Sequence, residues 1–251
     1  MADRVTSSSS TAIGVLTIAY AIAFNIPFAT LSTIFDYPQV LRRPGGEVLT
    51  LFNAGGAPLI LTWHTFAVAA LLLVPLSIAV SLRADRVARF PALAIGAAIV
   101  GSLAGLAQAI GLWRWVFVVP GLARAYVDPA ATDAAKSAAV DTFNLINQYG
   151  GVTIGEHIGQ LLTALFVLTL SVALHRERSR ITAVIGFVAA AAIAIGSNEG
   201  VAIALGHTGK TLSLVTIAGF LLLTLWLIAL GVSLIRGPRV VAPAGMYSSS
   251  R

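Results

Sequence analysis

Five ionisable side chains stand inside long apolar runs: His64, Arg114, Glu156, His157 and Glu199. Neutral imidazoles on separate helices are the ligands that a b-type haem or a divalent transition metal takes. His64 and His157 are therefore candidate axial ligands to haem or, with Glu156, candidate ligands to a metal ion. Arg114 offers a planar guanidinium to an anionic group. Glu156 beside His157 supplies two groups whose pKa values a low dielectric moves toward neutrality, as proton transfer requires. Gln108, Gln160 and Asn198 add amides, and Gln160 lies four residues from Glu156 and three from His157, so it serves the helix face of each. Plainer roles compete: Arg114 snorkelling between Trp113 and Trp115 in an aromatic belt, a purely structural buried ion pair, and solvated turn positions for His207 and Lys210.

These groups matter because charge is scarce. The chain has 251 residues, 57% apolar and 10% charged, with a mean hydropathy of +0.90, whereas a soluble domain carries about 25% charged residues. It is therefore read as an integral membrane protein, and soluble enzyme folds and disorder are excluded. The absence of cysteine excludes disulfides, thiolate metal sites, iron–sulfur clusters and cysteine nucleophiles. A net charge of +6 comes from basic residues set singly between apolar runs, a topology signal rather than a nucleic-acid surface. The sequence has no P-loop, dinucleotide-binding glycine fingerprint or zinc-protease motif.

Crossing the hydrocarbon core takes about 20 mainly apolar residues. Six stretches qualify: Thr11 to Ile34, Ala57 to Leu82, Ala92 to Val119, Val152 to Leu174, Ile181 to Leu205 and Leu212 to Ile235. None alternates as a barrel strand would, so the expected fold is all-α, a polytopic six-helix transmembrane bundle. Residues 11–235 form the membrane domain, with outer loops 35–56 and 120–151 and cytoplasmic tails 1–10 and 236–251. The first span reads as an uncleaved anchor, and the Ser- and Pro-rich tails as unstructured ends. Arg83, Arg86, Arg89, Arg176, Arg178 and Arg180, with Arg4, Arg236, Arg239 and Arg251, mark one side. Fewer basic residues, among them Arg42, Arg43, Arg124, Lys136 and Lys210, mark the other. By the positive-inside rule both termini are cytoplasmic, in a bacterial cytoplasmic membrane.

In the first outer loop the apolar piece Val48 to Phe52 is expected to lie flat in the interface. In the second, Asp128-Pro129 is a helix start, and the recurrence of Ala135, Ala139, Phe143, Ile146 and Tyr149 predicts an amphipathic lid helix over Pro129 to Tyr149, ended by Gly150-Gly151. Gly151, Gly155 and Gly159, and Gly101, Gly105 and Ala109, form small-residue ladders for close helix packing within the bundle, or for a homodimer or larger membrane complex.

Counted at about 1.5 Å per residue, His64, Arg114, Glu156, His157, Asn198 and Glu199 fall roughly four to seven residues from the outer end of their spans. Each ionised group costs about 2.5–3.5 kcal/mol on insertion, so a shared layer points to an outward-facing pocket among spans two, three, four and five.

Several segments carry a resemblance: Asp36-Tyr37-Pro38 with Leu41-Arg42, Glu47-Val48-Leu49 before Gly55-Gly56, Gln108 through Gly111-Leu112-Trp113-Arg114-Trp115 to Val119-Pro120, Leu122-Ala123-Arg124-Ala125-Tyr126, and Gly155-Glu156-His157-Ile158-Gly159-Gln160. Together the chain resembles a bacterial six-span membrane family known only as the domain of unknown function numbered four thousand three hundred and eighty-six. The resemblance implies the fold and orientation above, and brings no reaction, cofactor or catalytic residue.

The functional expectation is a pocket for a cofactor, a metal ion or a small amphiphile, with haem b or a divalent transition metal held by His64 and His157. One alternative is a membrane enzyme or receptor for an anionic, lipid-like or quinone-like molecule using Arg114, Glu156 and His157. Others are a secondary transporter, or a structural or regulatory partner with no ligand. The bilayer is the one partner that every reading shares.

Overall fold

Within hydrocarbon every backbone N–H and C=O must find a partner inside the chain, and apolar runs with few charges meet that demand as helices. A computed structural model describes residues 2–236, helical almost throughout, with no strand among the described residues. Six of its helical stretches are long and apolar enough to cross a membrane. The protein is thus a multi-pass membrane protein. Span one is α1 (Ala2–Ile34). Span two begins at α2 (Gly45–Leu71) and continues as α3 (Leu73–Ser81). After the short α4 (Ala84–Arg89), span three comprises α5 (Pro91–Phe117) and α6 (Val119–Val127). Span four joins α7 (Asp133–Ile146), a π-helical segment (Asn147–Ile158) and α8 (Gly159–Arg176). Spans five and six are α9 (Arg180–Gly196) with the one-turn α10 (Glu199–Ala204), and α11 (Lys210–Arg236).

Consecutive spans pack side by side: α1 on α2, α2 and α3 on α5, α5 on α8, α8 on α9, and α9 on α11. The ring closes because α11 returns to α1. That closure is tight where Gly14 meets Gly231, since a Cβ on either would lie 2.6 Å from the other's carbonyl oxygen. Leu170, Leu230, Phe166 and Trp226 fill this half of the ring, the last two in an edge-to-face contact at 5.9 Å. At the same end Arg86 is buried, donating to both carboxylate oxygens of Glu177 at 2.6 and 2.8 Å and to the Val80 carbonyl at 2.5 Å. A buried guanidinium needs that many acceptors, because desolvation outweighs a single contact.

The opposite half holds an aromatic cluster. Trp63 and Trp115 stack at 4.8 Å with 10° between their planes, Phe35 meets Trp115 edge-on at 5.4 Å, and Phe52 stacks on Trp115 at 5.6 Å. Three expectations change here. Trp115 is fully buried in this cluster rather than in an interfacial belt. Val48, Leu49 and Phe52 do not lie flat: they are buried in the cluster, on a helix that runs into span two through a kink at Gly56, whose φ of 53° and ψ of −149° favour glycine. The amphipathic helix of the second loop forms, but starts at Asp133 under a Thr132 cap (Ala135 N–H to Thr132 Oγ1, 3.2 Å), while Asp128 accepts from the Ala130 N–H at 2.8 Å in a turn. Its buried Ala139 and Phe143 cover the aromatic cluster.

Nor do Gly150 and Gly151 end that helix. A helix end leaves four carbonyls without partners, and the chain avoids this by continuing in π register into α8. At the amino terminus, helix runs from Ala2 where an unstructured tail is expected, since extending a nucleated helix costs little. Of the expected carboxy-terminal tail, residues 237–251, with Arg239 and Arg251, lie outside the described residues.

Candidate functional site

The site is built around the π-helical segment. Thr153 donates its hydroxyl to the Gln148 carbonyl five residues back, at 3.1 Å, the spacing of a widened turn. Glycines bring its backbone and the start of α8 against α5: a Cβ on Gly111 would sit 2.6 Å from the Gly155 Cα, and one on Gly159 would sit 2.9 Å from the Gln108 Cγ. Gly101 and Gly105 of the other ladder face Ser77 and the Ala70 carbonyl within the same bundle. Gly151 leaves room for the Arg114 guanidinium, whose Nη2 would lie 2.5 Å from any Cβ there.

Arg114 is buried. It donates to the Gly111 carbonyl at 2.5 Å and to the Asn147 side-chain oxygen at 3.0 Å, and lies 5.0 Å from the centre of the Trp115 ring. Its Nε has no partner, nor do the indole nitrogens of Trp63 and Trp115. Neither Glu156 nor Glu199 pairs with it. Both carboxylates are taken by Arg42, which reaches in from a 3-10 turn (Gln39–Arg42) to Glu156 at 2.9 Å and Glu199 at 3.1 Å. Burial works against the charge on Arg42, but the two carboxylates outweigh it and hold its pKa above the ordinary guanidinium value. Arg43 next to it ties the turn down through Glu47, at 2.6 Å, and Asp36. Burial first, and then the nearby Glu156 charge, push the Tyr37 phenol above its ordinary pKa of 10.0.

These groups crown a cavity of about 470 Å³. Its charged lining consists of Arg42, Arg114 and Lys210 against Glu156 and Glu199, one positive charge in excess. Deeper walls are apolar: Phe24, Phe28, Phe66, Phe166, Phe220 and Leu227. Polar ties cross the walls, from Gln108 Nε2 to Thr163 Oγ1 at 2.7 Å and from Asn25 Nδ2 to Thr224 Oγ1 at 3.0 Å. Spans one, three, four and six supply most of the wall, where the sequence points to spans two to five. No residue of α7 lines it.

Of the residues singled out from sequence, Gln108, Arg114, Glu156, Gln160 and Glu199 line this cavity; His64, His157 and Asn198 do not. Adjacent helix positions point about 100° apart, and Trp63 takes the inward direction, leaving His64 on the exposed face of α2. His157 turns to α9, where its Nδ1 lies 2.8 Å from the Ser197 carbonyl oxygen. Asn198 donates to the Ala194 and Ile195 carbonyls at 2.9 and 3.3 Å, closing the end of α9. His64 and His157 therefore do not meet at this cavity. Among the described residues no three His, Asp or Glu side chains stand where they could hold a metal.

Sequence reasoning missed Arg42 as a member of the site. Its partners are 114 and 157 residues away, beyond any local spacing rule; the available signal was an excess of intramembrane carboxylates over cations at one depth.

No curated protein and no solved structure matches the chain. The model of the family described as Domain of unknown function (DUF4386) matches residues 12–231, all six spans, and the chain belongs to that family.

Proposed function

We propose that the protein is a membrane receptor or binding protein for a lipid-like molecule with a single apolar tail and a head carrying one negative charge. The guanidinium at the head of the cavity carries this reading. Arg114 lines the cavity and has no carboxylate partner, because Glu156 and Glu199 both pair with Arg42. A carboxylate or phosphate ester supplies the anionic acceptor that this buried guanidinium lacks. The single excess positive charge of the lining agrees with a monoanion. The volume falls in the range of about 300–1,000 Å³ common for small-molecule sites, and the apolar depth suits a tail.

The orientation is part of the proposal. Arg83, Arg86, Arg89, Arg176, Arg178 and Arg180 gather in the two connections at the end away from the cavity. Short loops rich in arginine stay cytoplasmic, so the cavity opens outward and both termini lie on the cytoplasmic side of a bacterial cytoplasmic membrane.

The test is extraction. Protein purified in a nonionic detergent is extracted into organic solvent, and the lipids are identified by mass spectrometry. Wild type is expected to retain an acidic single-tailed amphiphile. Arg114→Gln is expected to hold it at least about thirtyfold more weakly, the equivalent of the ~2 kcal/mol at the low end for losing one partner of a buried charged contact. Equal retention of neutral or zwitterionic lipid by both proteins would sink the reading.

A further inference from the structure

We infer that the cavity has a side door between α1 and α11 and that its occupant is an acidic lipid drawn directly from the bilayer. This rests on the amphiphile reading above and adds the route and the source. The observation is a contradiction in the surroundings of α11. Leu214 and Leu221 both line the cavity, yet they are 60% and 63% exposed. Leu221 lies about 16 Å along the helix from Lys210, at 1.5 Å per residue, and so deep within the span. Exposure at that depth is exposure to lipid. A side chain that faces both a cavity and the bilayer stands at the edge of an opening.

Helical geometry says which edge. Gly219, which touches Ile193 of α9, and the buried Trp226 mark one flank of α11. Leu214, Ile217 and Leu221 lie on the other flank, beside the face that meets α1 through Gly231 and Thr224. Below the opening the seam is locked by the Gly14–Gly231 contact and by the Asn25–Thr224 hydrogen bond. Above it, among the described residues, no side-chain hydrogen bond or ion pair is found between α1 and α11. Phe24 and Phe28 of α1 line the cavity inside the opening and pack on Phe66 of α2. The head of an entering lipid passes Lys210 at the mouth and meets Arg114, while its tail slides between the two helices without leaving an apolar medium. On the aqueous side the Arg42 bridge to Glu156 and Glu199 stands across the other approach.

The experiment uses the full chain in phosphatidylcholine vesicles. One arm dissolves a long-chain fatty acid bearing a tail diazirine in the bilayer; the other adds a short-chain, water-soluble diazirine acid outside. Light then fixes either probe, and labelled peptides are mapped. The bilayer probe is expected to label Tyr20–Phe28 and Ile217–Leu227. Leu214→Trp with Leu221→Trp, which keeps exposed positions apolar, is expected to slow that labelling about tenfold or more, within the one to three decades over which association rates vary among variants, and to slow labelling by the soluble probe far less.

Undiminished bilayer labelling in that variant, together with its loss in Ser213→Trp at the mouth, would overturn the side door and leave the amphiphile reading intact. An absence of cavity labelling by either probe in wild type would overturn both. The chain has no native cysteine, so Leu214→Cys gives a further check: efficient disulfide-linked dimers in the membrane would make this edge a contact between copies and overturn the door.

Discussion

A buried arginine without a carboxylate partner is an expensive object, and Arg114 is kept affordable by neutral acceptors, the Gly111 carbonyl and Asn147, and by the face of Trp115. Its charge is thereby left available while that of Arg42 is consumed by Glu156 and Glu199. Tyr37 reports on this layer from outside the spans. The folded protein favours its neutral phenol, so it adds stability that is fully present below the ordinary phenol value of 10.0 and is lost as the pH rises through its raised native value. Alkaline denaturation followed by near-ultraviolet absorbance is therefore expected to start later in Tyr37→Phe than in wild type, with loss of a late phenolate signal. Superimposable curves would refute the assignment. At this scale the sequence was partly legible: scarcity picked out Arg114, Glu156 and Glu199, which line one cavity. His64 and His157 were misjudged because depth along a span can be counted, whereas direction around it depends on which neighbour wins the interior. Trp63 wins over His64.

The π-helical segment lets one continuous rod serve both as a span and as a platform for the site. The glycines where it meets α5 have different tasks from those that merely occupy open surface. Gly111 faces backbone, with the Gly155 Cα 2.6 Å from where a Cβ would stand, whereas a Cβ on Gly121 would meet nothing within 4 Å. Gly111→Ala is accordingly expected to destabilise by about 1–3 kcal/mol through overpacking. Gly121→Ala should be neutral, or stabilising by up to about 1 kcal/mol from helix propensity. Thermal unfolding in detergent reads both, and equal midpoints would argue against a rigid α5 contact. Apolar runs located spans one, five and six and the inner ends of the other three within a few residues, but not the outer ends of spans two, three and four, where helix extends to Gly45, Val127 and Asp133; the small-residue ladders marked faces that meet inside the bundle. The π register was not legible: Gly150-Gly151 is a stop signal by local rules, overridden because stopping there would strand carbonyls near a buried arginine.

For the whole molecule, the proposed orientation rests on the charge asymmetry between its two ends. Native cysteine is absent, so single substitutions give a clean readout of sidedness. Lys136→Cys on α7 is expected to react with a membrane-impermeant maleimide in intact cells. Arg178→Cys, in the connection before α9, should react only after permeabilisation. The reverse pattern would invert the proposed orientation and turn the cavity toward the cytoplasm. Six spans in a helical bundle were legible from composition and the spacing of apolar runs. That spans one and six flank the cavity was not, because the closure rests on Gly14 and Gly231, whose sequence separation carries no periodic signal.

The same closure bears on how the protein is made. Chains are synthesised from the amino terminus and begin to fold in that order, so α1 must enter the bilayer long before the helix that completes its packing exists. Until Gly231 is in place the bundle is a crescent whose interior faces surrounding lipid along its full height. The last helix to arrive zips the lower part of that seam through Gly14 and Asn25 and leaves the upper part unfastened. The cavity is thus the unsealed remainder of the final assembly step, present in the nascent protein before any occupant has been met.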